Sequence, residues 1–368
     1  MESQDKFTPD PDKLVNESVG EDYIALTQMH NYASNPDYIN EETRLDFCIK
    51  NSVWFLRPYQ LRAIESIQAS VKEGNDRFLF EMATGTGKTM ISAAVIKLFL
   101  RTGNAKRVLF LVDRLELEDQ ANKAFKNYLQ NDYQCVIYKE NRKDWTKAEI
   151  VVTTVQSLMV NNKYKDIFSP TDFDLVISDE AHRSIGGNSR AVFEYFLGYK
   201  LGLTATPKDY LKKVTQSNLS DPREMERRQL MDTYITFGCD SGHPTYRYSL
   251  LDGVKEGFLI NATVVDVRTE ITTQLLSDKG YAAMGTDEDG NEEEKNYRHR
   301  DFERKFFSER TNRVFCEALI NNALRDPLSK EVGKSLVFCV SQKHATKIVQ
   351  MLNQIAHEKY PGKYNSDF

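Results

Sequence analysis

The stretch Phe78-Leu-Phe-Glu-Met-Ala-Thr-Gly-Thr-Gly-Lys-Thr89 decides the fold of this chain. An apolar run of strand length leads into a glycine-rich turn, and the following MISAAVIKLFL has a helical texture. That order, strand then turn then helix, is the context a phosphate loop requires. Gly85 and Gly87 let the backbone take positive φ and bring its N–H groups close to phosphate oxygens. The helix starting near Lys88 adds its positive dipole end. Lys88 is expected to meet the β- and γ-phosphates, and the Thr89 hydroxyl to ligate Mg²⁺. Thr84, Gly85, Thr86, Gly87, Lys88 and Thr89 form the expected cradle. The match is to the inner half of GxxxxGKT, because Met82 stands where that pattern has its first glycine. Taken alone, the segment also fits a strand-to-helix turn with an incidental lysine.

Outward from this loop, apolar runs of strand length alternate with helical patterns from about Val53. Such alternation marks βα units around a parallel sheet. The expected strands are Arg77 to Glu81, Val108 to Asp113, Cys135 to Tyr138, Ile150 to Thr154, Leu175 to Asp179 and Leu201 to Thr204. Runs as apolar as VLFLV and DLVIS suit strands buried on both faces. The run ending at Ser178 delivers Asp179-Glu180-Ala181-His182, two adjacent carboxylates at the carboxyl end of a buried strand, where open α/β sheets bind ligands. Asp179 is suited to hold Mg²⁺ and Glu180 to orient and deprotonate an attacking water. Leu201-Gly-Leu-Thr-Ala-Thr-Pro207 places Thr204 and Thr206 at another strand end, where they can report the state of the acid pair or serve the turn alone. Upstream, Leu56-Arg-Pro-Tyr-Gln60 opens a helix, and the Gln60 amide can pair with the N6/N7 edge of adenine.

Composition sets the outer limits. The chain has 368 residues, 40% hydrophobic and 28% charged, which fits two or three globular domains and excludes a disordered or fibrous chain. A net charge of −5 means that any nucleic-acid contact must come from local basic patches. The five cysteines, Cys48, Cys135, Cys239, Cys316 and Cys339, form no CxxC pair, which suits a reducing, cytoplasmic setting. No run approaches the roughly 18 apolar residues of a membrane span.

The first fifty residues hold eleven acids and four bases, so residues 1–52 are expected to be an acidic lead-in or linker. Residues 53–235 are expected to form an ATP-binding lobe. Residues 236–368 are expected to hold a connection and the start of a second lobe, whose strand is Ser335 to Val340 and whose helix runs from Gln342 to about Ile355. KKVTQSNLSDPREMERRQL reads as a connection or surface helix. Around 280–300, six acids between Asp287 and Glu294 precede Arg298, Arg300, Arg304 and Lys305, which reads as a polar mobile stretch without strands.

In order, LRPYQ, MATGTGKT, DEAHRS and GLTATP resemble the superfamily 2 helicase and translocase core. With VLFLVDRLELEDQA, TTVQSL, YRYSLLDGVKEGFLI and KSLVFCVSQKHA added, the chain resembles more narrowly the motor subunit of type I restriction enzymes. The resemblance implies a RecA-like parallel sheet flanked by helices, a P-loop NTPase fold, followed by a partial second RecA-like lobe. It implies ATP and Mg²⁺ as cofactors, double-stranded DNA as the track, and modification and specificity subunits as partners. It further implies that Gln60 reads adenine, that His182, Thr204 and Thr206 couple nucleotide to DNA, and that Arg114, Thr153, Thr154 and Gln156 face the DNA backbone. Arg114 has a plainer alternative as a surface arginine paired with Glu116 or Glu118.

The chain also departs from that family. Its later arginines, which reach the γ-phosphate, have no counterpart after SLVFCVSQKHA, so turnover by this chain is expected to be poor. A nuclease core is not expected either: Glu293-Glu294-Lys295 satisfies an ExK pattern only by chance, and no DNA cleavage is expected. Another superfamily 2 motor, such as a type III restriction subunit or a repair or RNA helicase, and an ATP-gated DNA-binding scaffold remain as alternatives.

Overall fold

A computed structural model describes residues 8–27, 29, 31–129, 132–140, 145–184, 189–210, 228–261, 282–286, 292–296 and 309–362. The chain divides into two compact units, Met1–Asn261 and Ala262–Phe368.

In the first unit the described residues build a seven-stranded parallel sheet. Its strands are β1 (Arg77–Met82), β2 (Val108–Val112), β3 (Cys135–Ile137), β4 (Ile150–Thr154), β5 (Leu175–Ser178), β6 (Tyr199–Thr204) and β7 (Tyr246–Tyr248). Their order is β3-β4-β2-β5-β6-β1-β7. The apolar runs follow from this placement, since every residue of β2 and β4 is buried and helices cover both faces. Alternate side chains feed two cores. Phe78, Phe80 and Phe110 pack with Ile91 and Phe99 on one face, while Leu79, Leu109 and Leu111 pack with Phe193 and Phe237 on the other. All strands run the same way, so their carboxyl ends share one edge. The expected α/β RecA-like sheet is present, with all six expected strands.

The lead-in is part of this unit. Leu14 is fully buried in the first core, Gln68 Nε2 donates to the Leu14 and Glu17 carbonyls at 2.9 Å each, and Arg101 pairs with Glu17 at 2.9 Å. The unit also ends later than the expected 235. After the Thr233–Thr236 helix, β7 adds to the free edge of β1, a short Tyr-Arg-Tyr strand with no apolar run to mark it in the sequence.

In the second unit, β8 (Ala282–Thr286) and β9 (Glu292–Asn296) form an antiparallel pair. This corrects the expectation of a strandless stretch around 280–300, and Glu293, Glu294 and Lys295 lie in β9. Arg298, Arg300, Arg304 and Lys305 lie outside the described residues, as does most of KKVTQSNLSDPREMERRQL. The helices Glu309–Asn322 and Gln342–Lys359 enclose a small core of Cys316, Ile320, Ile348 and Ile355, and Arg313 reaches Glu358 across them at 2.9 Å. The expected strand at Ser335 to Val340 is not formed. Leu336 and Phe338 are largely exposed, and among the described residues no strand lies beside it to supply hydrogen bonds, without which β-propensity is not realised.

Candidate functional site

Three of the sequence motifs meet at the carboxyl edge of β1, β6 and β5, which are neighbours in that order. After β1 the chain turns through Gly85 at φ 84° and Gly87 at φ 76° into the 14-residue helix Lys88–Arg101. Both conformations favour glycine. The turn is braced internally by the Thr86 hydroxyl, which donates to the Ala83 carbonyl at 2.7 Å. It is braced from outside by the Pro58–Lys72 helix, where Tyr59 Oη and Gln60 Nε2 both donate to the Thr86 carbonyl, at 2.9 and 3.1 Å.

After β5, Asp179 and Glu180 reach the same place: Lys88 Nζ lies 4.0 Å from Glu180 Oε1. Glu180 takes φ 47°, a left-handed conformation costly for a residue with a Cβ, and its N–H bonds to Asp179 Oδ1 at 3.0 Å. Burial, and then the Glu180 carboxylate, push the Asp179 carboxyl above the usual carboxylate range, against the Glu180 N–H and Lys88, which pull it down. His182 is drawn down by burial, with Glu180 opposing. Its Nδ1 shares a 2.8 Å hydrogen bond with Thr204 Oγ1 and lies 3.5 Å from Glu180 Oε2. Thr204 Oγ1 in turn accepts the Thr206 N–H at 3.1 Å. Acid pair, histidine and threonines thus form one connected set. A cleft of about 310 Å³ opens beside it, lined in part by Glu81, Thr84, Ala205 and Ser249.

The donor chemistry fits Mg·ATP. An ammonium and the free amides of a helix start suit phosphates, while a hydroxyl at Thr89 and a carboxylate at Asp179 suit a hard, oxygen-seeking cation. Gln60 is placed differently from a surface base reader. It is buried, with Oε1 accepting the Arg57 N–H at 2.9 Å and Nε2 on the Thr86 carbonyl.

Of the residues expected at DNA, Arg114, Thr154 and Gln156 line one shallow depression of about 370 Å³ together with Lys139. Arg114 is exposed and lies 3.7 Å from Asp113, not against Glu116 or Glu118. Glu118 is buried and accepts the Thr154 N–H at 2.8 Å; its carboxyl is raised by burial, the Thr154 hydrogen bond opposing. Thr154 spends its hydroxyl capping the Val155–Met159 helix. Thr153 is not at this surface. It is fully buried within the sheet, because β4 is covered on both faces.

Sequence reasoning missed a layer of residues behind the loop. Tyr59 stacks face to face on Tyr248, with centroids 4.1 Å apart. Tyr234 Oη and Arg247 both donate to Glu81 Oε2 at 2.7 Å. The YRYSLLDGVKEGFLI signature holds two of these residues, but nothing in its pattern says what they touch.

Fold and edge geometry define an α/β protein of the RecA-like class with a phosphate-loop turn. Residues 55–209 match the family described as "Type III restriction enzyme, res subunit". Over 342 residues the chain is 28% identical to the type I restriction enzyme EcoKI endonuclease subunit of Escherichia coli K12, covering 83% of this chain and 26% of that protein. It is 30% identical over 321 residues to the type I restriction enzyme EcoAI endonuclease subunit of Escherichia coli, covering 82% of this chain and 35% of that one. Among solved structures, a fragment described as an HsdR subunit of a type I restriction enzyme from Vibrio vulnificus YJ016 matches with TM-score 0.44 and 23% identity, covering 83% of this chain and 47% of that one. Residues 55–209 thus resemble a restriction-enzyme family, and the two curated relatives are endonuclease subunits of type I restriction enzymes. It spans no more than 35% of the length of these two curated relatives.

Proposed function

We propose that this chain is the motor portion of a type I restriction endonuclease subunit, binding Mg·ATP and double-stranded DNA and moving along the duplex. The observation that carries the reading is the approach of Lys88 to Glu180 at 4.0 Å across the edge of one parallel sheet. Thr84 to Thr89 would cradle the phosphates, with Lys88 matching the charge of the terminal groups. Thr89 and Asp179 would hold Mg²⁺, which when bound neutralises charge building on the phosphates. Glu180 would take the proton of the attacking water, its carboxylate lying 4.0 Å from Lys88. His182, Thr204 and Thr206 would pass the state of that site to neighbouring elements. Arg114, Thr154 and Gln156 would contact DNA phosphates, which position a motor without reading sequence. Gln60 would reach adenine only by giving up a bond it makes here. Modification and specificity subunits would supply the recognition site, and a cytoplasmic setting follows from that assembly.

Glu180→Gln separates a motor from an ATP-gated scaffold. Expected is ATP binding retained, with the slow DNA-stimulated phosphate release of the wild type reduced about a further hundredfold or more. Equal release by the wild type and Glu180→Gln would count against the motor. Displacement of a triplex-forming strand without unwinding then distinguishes translocation from helicase action.

A further inference from the structure

Behind the phosphate-loop turn lies an aromatic pair that touches both of its legs. The Tyr59 hydroxyl donates to the Thr86 carbonyl at 2.9 Å on the far leg. On the near leg, the Ala83 N–H donates to the Tyr248 carbonyl at 3.0 Å. The two rings stack at 4.1 Å and 8°. The pair is itself anchored: Tyr246 Oη donates to the Tyr59 carbonyl at 2.7 Å, and Tyr248 Oη reaches Glu256, which also pairs with Arg62. From the same segment, Leu259 lies where a side chain on Gly85 would reach it at 3.4 Å.

Peptide planarity gives this contact a consequence. In a trans peptide the carbonyl of one residue and the N–H of the next point in opposite directions. Holding the Thr86 carbonyl toward the Pro58–Lys72 helix therefore turns the Gly87 N–H away from that helix, at the start of the Lys88–Arg101 helix. Gly87, at φ 76°, has the freedom to let this peptide rotate if nothing restrains it. Gln60 supplies a second donor to the same carbonyl at 3.1 Å, but it is also placed to act on a base. Tyr59 is not: it has no exposed surface.

We infer that Tyr59, stacked on Tyr248, is a positioning residue that locks the Thr86–Gly87 peptide with its N–H presented to an anion. The inference deepens the Mg·ATP reading and rests on it for the identity of that anion. It also accounts for YRYSLLDGVKEGFLI, since a segment that follows the first lobe's motifs in the chain preorganises their phosphate loop and so belongs to the nucleotide machinery.

The test uses the full chain with Tyr59→Phe, which keeps the ring stack and removes only the hydroxyl, and Tyr195→Phe as a control that removes a tyrosine-to-carbonyl hydrogen bond, to Phe168 at 2.6 Å, without touching the loop or its anchors. Two quantities are measured: amide hydrogen exchange over residues 84–88 without nucleotide, and the dissociation constant for Mg·ATP by calorimetry. Tyr59→Phe is expected to speed exchange in the loop and weaken Mg·ATP about fivefold, the worth of one buried hydrogen bond. Tyr195→Phe should match the wild type in both. Should Tyr59→Phe fail to fold, Tyr248→Leu removes the stack and is expected to show the same faster loop exchange. Unchanged exchange and affinity in Tyr59→Phe would overturn the positioning role and leave the nucleotide reading standing. Failure of the wild type to bind Mg·ATP would overturn the nucleotide reading, and the exchange comparison would still decide whether Tyr59 locks the peptide.

Discussion

At Asp179 the sheet holds a carboxylate where burial and the Glu180 charge both disfavour ionisation. Because its pKa is raised in the folded state, the native protein binds the proton more tightly than the unfolded chain, so stability falls as pH rises from the ordinary aspartate range through the raised value. Asp179→Asn is therefore expected to raise the melting temperature of the nucleotide-free protein by about 2–4 °C at pH 8, with the gain vanishing near pH 4. Thermal melts at the two pH values check this. Gly87→Ala is expected to cost at least about 1 kcal/mol, since it forces a Cβ into a left-handed backbone and within 2.8 Å of Gln60 Nε2; denaturant unfolding measures the loss. At this scale the sequence is informative wherever chemistry is carried by residue type at fixed spacing, as in TGTGKT and DEAH. It is silent on Tyr59 and Glu81, whose roles come from partners far along the chain. Thr153 is misplaced because the resemblance assigns TTVQ to DNA as a block, whereas the two-sided cover of a parallel strand buries this residue of β4.

Among the elements, β6 shows how tightly the edge is packed. Gly202 lies where the Phe237 ring rests on the sheet, and an added Cβ would meet that ring at 2.4 Å. Gly202→Ala should destabilise the protein by about 1–3 kcal/mol through overpacking, read as a lower denaturation midpoint with an unchanged slope. Phe338→Ser, by contrast, should change stability by no more than about 0.5 kcal/mol, because that side chain is 88% exposed. A large loss at Phe338 would mean that Ser335 to Val340 is packed as a strand after all. Strands β1 to β6 are legible because near-continuous apolar runs have few alternatives. β7 and the β8–β9 pair are not, since neither Tyr-Arg-Tyr nor the acidic β9 is an apolar run and each strand depends on the neighbour it pairs with. The same dependence explains the reverse error at SLVFCV, which has the composition of a strand without the partner.

Across the molecule, the phosphate loop, the acid pair, the threonine turn and Tyr248 all lie in the Met1–Asn261 unit. The burial of Leu14 and the pairing of β7 with β1 explain why that unit begins before and ends after the lobe expected from motifs alone. The proposed nucleotide site is built from residues of that unit, and residues 1–261 produced alone are expected to bind Mg·ATP within about threefold of the full chain, a difference below 1 kcal/mol. The central claim is that a nucleoside triphosphate sits between the glycine turn and the paired acids. Calorimetric titration of the full chain with Mg·ATP, beside Lys88→Ala, tests it directly. The account predicts one saturable site, weakened about tenfold to a hundredfold by loss of the charged lysine contact. No heat of binding in the wild type, or equal affinity in the two proteins, would contradict it.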